Sequence, residues 1–315
     1  MSRVAHSVIE PTALSRRIAA ALVITYALIA MIPMVWIFLT GFKSPPDSIA
    51  YPPKVFFEPS LEGYVNLFTT RSRQSSEYLA SLPPAETWYD ALVRKRNMVI
   101  AGPSRFLGRY WNSIVIGFGS TFLAVFLGTL AAYGFSRFKV PLQDDLLFFI
   151  LSTRMMPPIA VAIPIYLMYR TLGLSDTQLG MILLYTAVNL SLAVWLLKGF
   201  IDEIPREYEE AAMVDGYTRI QAFVKVVLPQ AKTGIAATSI FCLIFAWNEY
   251  AFALLLTSGK AQTAPPFIPI IIGEGGLDWP AVAAGTTLFL LPVVIFTVLL
   301  RKHLLRGITF GAVRK

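Results

Sequence analysis

The chain has 315 residues, of which 56% are hydrophobic and only 15% charged, with a mean hydropathy of +0.61 and a formal net charge of +8. Soluble globular chains carry roughly 25% charged residues, so this composition excludes an ordinary soluble domain. The positive balance does not indicate a nucleic-acid binder, because Lys and Arg gather in short loops between apolar blocks rather than in a basic stripe with exposed aromatics.

Residues 1–17 form a short polar segment ending in Arg16 and Arg17. The apolar run from Ile18 to Thr40 that follows spans about 23 residues, too long for a typical signal-peptide core, and no convincing cleavage site follows it. It is expected to be a retained first membrane helix. Next comes a loop over 43–109, rich in proline (Pro45, Pro46, Pro52, Pro53, Pro59, Pro83, Pro84) and in aromatics such as Tyr51, Phe56, Trp88 and Tyr89. It lacks obvious periodicity. Loops of this length are usually functional or disordered, and the aromatics argue for partial order. Two readings stand open: a docking surface for an outer partner, or a small cap packed on the helices.

Five further apolar blocks lie near 110–135, 145–170, 178–199, 231–256 and 281–301. Each can cross a hydrocarbon core of about 30 Å. The expected fold class is therefore all-α integral membrane with six transmembrane helices, and 18–315 is one permease-like domain. Pro33, Pro157, Pro158, Pro164 and Pro292 fall inside these blocks. Prolines at such positions suit helices packed around a cavity, where neighbours or water satisfy the freed carbonyls.

Orientation follows from the basic residues. With the N-terminus inside, the inner segments hold Arg16, Arg17, Arg137, Lys139, Arg206, Arg219, Lys225, Arg301 and Lys302, among others. The two short outer loops hold only Lys260, with Arg170 at a helix end. This asymmetry places both termini, including the tail 302–315, in the cytoplasm. The long 43–109 loop does not count against it, since long loops translocate largely regardless of charge.

The inner loop 202–232 is polar yet dense in helix formers. Pro205 suits a first helical position, and Glu207, Glu209 and Glu210 follow where the helix dipole favours acids. Asp215-Gly216 should break this helix, because glycine takes the left-handed conformation at helix ends. A second helix is expected from Thr218 to Val227, with Ile220, Phe223, Val224 and Val227 as its buried face and Pro229 as its end. The product is a helix–turn–helix in which Ala211 and Ala212 allow close approach to a partner surface. The bland reading is an amphipathic helix lying on the bilayer.

The run Glu210-Ala211-Ala212-x3-Gly216-x9-Val226-x-Leu228-Pro229 resembles the EAA loop of bacterial ABC importer permeases, E-A-A-x3-G-x9-I-x-L-P, departing only at Val226. The stretches 152–166, 193–200, 247–257 and 278–292, and the tail 306–315, resemble the sugar-type permeases similar to the second permease of maltose transporters. The resemblance covers about 110–315 and the first helix; no family role carries onto 43–109. It implies that Glu210, Ala211, Ala212, Asp215, Gly216, Leu228 and Pro229 couple the chain to a separate ATPase, and that the C-terminal tail reaches toward the same ATPases. The implied partners are a second homologous permease, two ATPase subunits holding ATP and Mg, an extracytoplasmic substrate-binding protein and membrane lipid, in a bacterial inner membrane. The implied substrate is a carbohydrate.

Polar groups within membrane helices point to a pathway or a packing partner. Arg154, Asn189, Asn248 and Glu249, with the flanking Trp247 and Tyr250, are the candidates for a translocation path; interhelical hydrogen bonding and an interfacial aromatic belt are the alternative. Other chemistries have little support. No G-x4-G-K-[ST] loop exists, so nucleotide is not expected to bind this chain. The single Cys242 lies in an apolar block, His6 and His303 lie near the two ends, and no metal-ligand spacing occurs. An intramembrane enzyme lacks its Ser/His or paired-Asp arrangement. The competing reading is half of a secondary transporter driven by an ion gradient, for which Glu249 is the sole acid well inside a helix.

Overall fold

The computed structural model describes residues 12–273 and 276–308. In chain order the elements are α1 (Ala13–Thr40), α2 (Pro45–Ser48), α3 (Glu62–Phe68), β1 (Thr69–Arg73), α4 (Ser76–Ser81), α5 (Trp88–Arg94) and β2 (Met98–Pro103). Then follow α6 (Phe106–Arg137), α7 (Gln143–Ser152), α8 (Pro158–Thr171), α9 (Gln178–Asp202), α10 (Glu207–Val214) and α11 (Arg219–Ala222). The rest are α12 (Leu228–Trp247), α13 (Ala251–Leu256), α14 (Ala264–Phe267), β3 (Ile272–Gly273), β4 (Gly276–Leu277) and α15 (Trp279–Ile308).

The fold is all-α and membrane-integral. Five helices among the described residues are long and apolar enough to cross a bilayer, and a sixth span results if one bent pair counts as a crossing. α1 shows the physics most plainly: none of its 28 residues is buried, although the helix is almost wholly apolar. An exposed apolar surface of that length requires lipid or another helix around it.

Two spans differ from the sequence expectation. The block 145–170 is not one straight helix: its two halves meet at an angle of 93°. The break follows from Pro157-Pro158, which forces Met156 and Pro157 into extended conformation. The block 231–256 is likewise interrupted. α12 stops at Trp247, and α13 restarts at Ala251.

The chain divides into two compact units: residues up to Pro103 with Ile271–Leu288, and Ser104–Ile270 with the chain from Phe289 onward. In the first unit, the 43–109 segment is folded rather than irregular. β1 and β2 pair antiparallel, with Arg73 opposite Met98 and Thr69 opposite Pro103, and a bulge between Thr70 and Arg71. Val65, Val93 and Met98 form a small buried cluster beneath the hairpin. Lys43 is buried, with its Nζ donating to the Lys54 carbonyl at 2.7 Å and lying 3.8 Å from the centre of the Trp36 ring. That pairing satisfies the ammonium in part through the ring face.

In the second unit, α6, α9 and α12 pack together. Glycine makes the closest approach possible: a Cβ on Gly128 would lie 2.7 Å from the Cβ of Ala193. Small residues at such crossings are how membrane helices gain dispersion contacts when lipid removes the hydrophobic drive. One apolar cluster joins Val125 and Tyr133 of α6, Leu197 and Ile201 of α9, and Phe223 and Val227 ahead of α12. A second joins Ile116 of α6, Tyr185 of α9, Tyr169 of α8 and Phe252 of α13.

The loops at the opposite end of this unit are fixed by polar contacts. Asp176, at φ +52, accepts the backbone N–H groups of Ser258 and Gly259 at 3.2 Å, Ala261 at 3.0 Å and Lys260 at 2.8 Å. Asn112 donates to the carbonyls of Lys260 and Gln262, at 2.7 and 2.9 Å, and accepts from Gln178 at 2.7 Å. Burial works to raise the Asp176 carboxyl, but the four amide donors outweigh it and hold the group below the usual carboxylate range. A carboxylate depressed on folding contributes stability that is complete above its unfolded pKa, about 3.9, and lost as pH falls through its folded value. Asp176→Ala is therefore expected to lower the melting temperature at neutral pH, chiefly through the amide of buried Ala261, at about 1–3 kcal/mol, since Ser258 and Lys260 are exposed and water can take the carboxylate's place there. The difference from wild type should shrink as the pH drops below about 4, where the carboxyl of the unfolded chain protonates first, and vanish once the pH passes below the folded value. Melting in detergent across that pH range checks both parts.

Candidate functional site

The loop between α9 and α12 folds as the sequence predicts in outline. Arg206 is the residue ahead of α10, so the helix begins two residues later than Pro205 suggested. Glu207, Glu209 and Glu210 occupy its first turn. At its end the Gly216 amide donates to the Met213 carbonyl at 3.1 Å, and the Tyr217 amide donates to Ala212 at 3.0 Å. Gly216 has φ +93 and no atom within 4 Å of where a Cβ would sit. The turn thus requires glycine for its backbone conformation, not for space. Thr218 then opens α11 with a capping box: its Oγ1 accepts the Gln221 amide at 3.3 Å, and its own amide donates to Gln221 Oε1 at 2.8 Å.

Four details depart from expectation. The second helix is only Arg219–Ala222 before a π-helical stretch, Phe223–Val227, leads into α12. Pro229 does not end it. The proline sits in the first turn of α12, where the wide turn ahead of it accommodates the ring and the missing amide. The buried face is Ala222, Phe223 and Val227, whereas Ile220 and Val224 are exposed, because the widened turn shifts the side-chain rotation away from a plain 3.6 period. Ala212 is buried against its own chain, and only Ala211 of the pair is exposed.

What lies open on this loop is a mixed patch. Tyr208, Val214, Ile220 and Val224 expose apolar surface, with Val214 at 87%. Glu207, Glu210 and Asp215 are exposed among them.

Behind the patch is a network the sequence reading did not find. Glu209 is buried, and its carboxylate pairs with Arg137 at the end of α6 and accepts the Tyr133 hydroxyl at 2.8 Å. Arg137 also donates to the Ile204 carbonyl at 2.8 Å, and Arg206 donates to the Ser136 carbonyl at 2.6 Å. The Tyr133 and Phe223 rings stand 4.4 Å apart. Both flanks of the loop are therefore locked onto one end of α6. The signal was available: Tyr133 and Arg137 sit four residues apart on one helix face, just before an inner turn.

The membrane-embedded polar residues separate into two places. Arg154, at the break between α7 and α8, stacks over Phe245 at 4.0 Å and lies 3.4 Å from the Val188 carbonyl. The neighbouring Asn189 is buried and donates to the Cys242 carbonyl at 3.2 Å, a link between α9 and α12. At the break between α12 and α13, Glu249 accepts the Tyr185 hydroxyl at 2.7 Å and the amides of Phe252 and Ala253 at 2.9 and 3.1 Å. It thus caps α13, where the helix dipole favours an anion. Trp247 is buried, stacked on Phe289 at 4.8 Å with its Nε1 donating to the Phe289 carbonyl at 3.0 Å. Asn248 and Tyr250 beside it are exposed, and Asn248 donates to Ile244 at 2.8 Å. Arg154 is half-buried and Asn248 and Tyr250 are exposed, whereas Asn189 and Trp247 are engaged in packing. The tail 306–315 lies outside the described residues from position 309.

Comparison with known proteins places the chain in a family. Residues 124–310 match the family described as "binding-protein-dependent transport system inner membrane component". The trehalose transport system permease protein SugB of Mycobacterium tuberculosis is 39% identical over 206 residues, covering 64% of this chain and 75% of that one. The trehalose/maltose transport system permease protein MalG of Thermococcus litoralis is 27% identical across 92% of this chain and 94% of its own. Among solved structures, a bacterial ABC transporter involved in the import of the acidic polysaccharide alginate superposes with a TM-score of 0.66 at 20% identity, covering 93% of this chain and 98% of that one.

Proposed function

The chain belongs to the family of binding-protein-dependent transport system inner membrane components, and on that premise we propose that it is the membrane-spanning subunit of an ATP-driven carbohydrate importer. It translocates its substrate by alternating access, with hydrolysis of ATP, assisted by Mg, in two separate ATPase subunits. A second homologous permease completes the pathway, and an extracytoplasmic binding protein delivers substrate. The site is the bacterial inner membrane, with both termini cytoplasmic.

The observation that carries this reading is the loop 203–228. A secondary transporter has no need of an inner helix–turn–helix that exposes Glu210, Ala211 and Val214 while a buried ion pair fixes its back to α6. A surface of apolar side chains ringed by acids fits a groove on a soluble partner. The rigid attachment lets a push on the loop reach α6 and, through the Gly128–Ala193 contact, α9. The sugar assignment rests on the trehalose- and maltose-transporting relatives.

The test is uptake into proteoliposomes holding the assembled transporter with its binding protein, using labelled trehalose and maltose as first probes. Uptake that needs internal ATP supports the reading. Uptake that follows an imposed ion gradient and ignores ATP favours the secondary-transporter reading.

A further inference from the structure

Within the first unit, the segment that leaves the end of α1 turns its apolar side chains outward. Ile49, Tyr51, Val55 and Phe56 are all exposed, Tyr51 at 97% and Phe56 at 94%. Large apolar side chains clustered so closely along the chain mark a contact surface rather than a water-facing loop.

Lys43 fixes where this patch sits. Its buried ammonium donates to the Lys54 carbonyl at 2.7 Å and lies 3.8 Å from the centre of the Trp36 ring and 5.3 Å from that of Phe57. The residues on either side of Val55 and Phe56 are thus tied to the same ammonium as Trp36, which lies in the last turns of α1. A second tie is the Ser60 amide, which donates to the Phe42 carbonyl at 2.7 Å. The Phe42 ring in turn stands 5.2 Å from Phe38 and 5.1 Å from Tyr64. The segment is therefore held beside the C-terminal end of α1.

The level of that end in the bilayer follows from the length of the span. About 20 helical residues fill a hydrocarbon core of about 30 Å. Counted from Ile18, the first residue after Arg16 and Arg17, the core ends near Phe38. Tyr51, Val55 and Phe56 then lie at the boundary between acyl chains and headgroups, where aromatic side chains are favoured. Little charge opposes their entry. Lys54 is the only charged residue in 49–57, and it pairs with Asp47.

We propose that residues 49–57 form an interfacial anchor that inserts Tyr51, Val55 and Phe56 into the lipid leaflet at the C-terminal end of α1. The patch continues the apolar surface of α1, none of whose residues is buried, so lipid covers both. With the termini cytoplasmic, this is the outer leaflet. The anchor sets the depth at which α1 hands the chain to α3 and the hairpin, and it is independent of the ATPase-coupling loop.

The experiment uses the full chain in lipid nanodiscs, with a nitroxide attached through Tyr51→Cys or Phe56→Cys. Power-saturation EPR compares collisions with oxygen, which partitions into lipid, and with a water-soluble nickel chelate. The native Cys242 is buried, so wild-type protein treated with the same label gives the background, and Leu28→Cys in the middle of α1 gives the lipid standard. The expected result is that both segment labels meet oxygen more often than nickel, at a depth of about 5–10 Å. A nitroxide is itself apolar, so Phe56→Asp is added to the Tyr51→Cys protein. That change should lift the segment and reverse the preference towards nickel. Tyr51 and Phe56 are almost fully exposed, so melting temperatures should not change. Nickel-dominated collisions at either label overturn the proposal, as does a Tyr51→Cys label indifferent to Phe56→Asp. Low collision with both reagents, the mark of a protein contact, overturns it too. None of these readouts involves ATP or a transported solute, so failure here leaves the importer reading standing.

Discussion

Glu209→Ala is expected to destabilise the protein by about 3–5 kcal/mol, the usual cost of removing one partner from a buried ion pair. Both side chains of the Glu209–Arg137 pair are at most 6% exposed, so solvent does little to rescue the guanidinium left behind. The Tyr133 hydroxyl loses its acceptor in the same step. Because the pair anchors the loop to α6, transport should fall further than stability alone explains: transporter assembled from the surviving protein should hydrolyse ATP, in its ATPase subunits, with weakened dependence on substrate. The double variant Glu209→Leu/Arg137→Met separates the two effects. Replacing a whole buried pair with apolar residues is often neutral for stability, so this variant should melt near wild type while remaining uncoupled. Unfolding in detergent and the ratio of ATP hydrolysed to substrate moved check both; a Glu209→Ala protein that melts and transports like wild type would contradict the bracing role.

Gly216→Pro is expected to abolish transport while leaving membrane insertion intact. Proline fixes φ near −65°, whereas the turn holds Gly216 at φ +93. The substitution also deletes the amide that donates to Met213. The open space around this position makes the effect conformational. Gly216→Asn should therefore be mild, since asparagine visits the left-handed region more readily than other residues, and Gly216→Val intermediate to severe, at about 1–3 kcal/mol of local strain. Uptake ranked Gly, Asn, Val, Pro supports a turn that sets the angle between α10 and α11. Equal uptake in all four would remove the turn from the mechanism.

Much of this was legible from local signals. Apolar block length gave the spans, since lipid imposes one length and one backbone solution. The acids of α10 and the break at Gly216 follow from dipole and glycine chemistry within a few residues of chain. What escaped was non-local. Glu209 and Arg137 are 72 residues apart in sequence; the shared face of Tyr133 and Arg137 marks a polar site on α6 without saying which acid fills it. The four amides that Asp176 gathers come from a loop more than eighty residues away. The breaks at Pro157-Pro158 and at Asn248–Tyr250 were hidden by hydropathy, which stays high across a bend. The exposure of Ile220 and Val224 reflects a π turn, which a 3.6-residue period cannot foresee. The 43–109 segment looked irregular because its order comes from a short hairpin and from Asp278, which holds Asn66 and Arg71 from the far end of the chain.

The measurement that bears most directly on the account is affinity purification of the tagged chain from its native membranes, beside a variant with residues 210–216 scrambled. Recovery of an ATPase and a second permease with the wild type, and loss of the ATPase alone with the scramble, is the expected result. A wild-type chain that purifies alone, or only with copies of itself, would contradict the claim that this loop is the point at which ATP hydrolysis acts on the membrane helices.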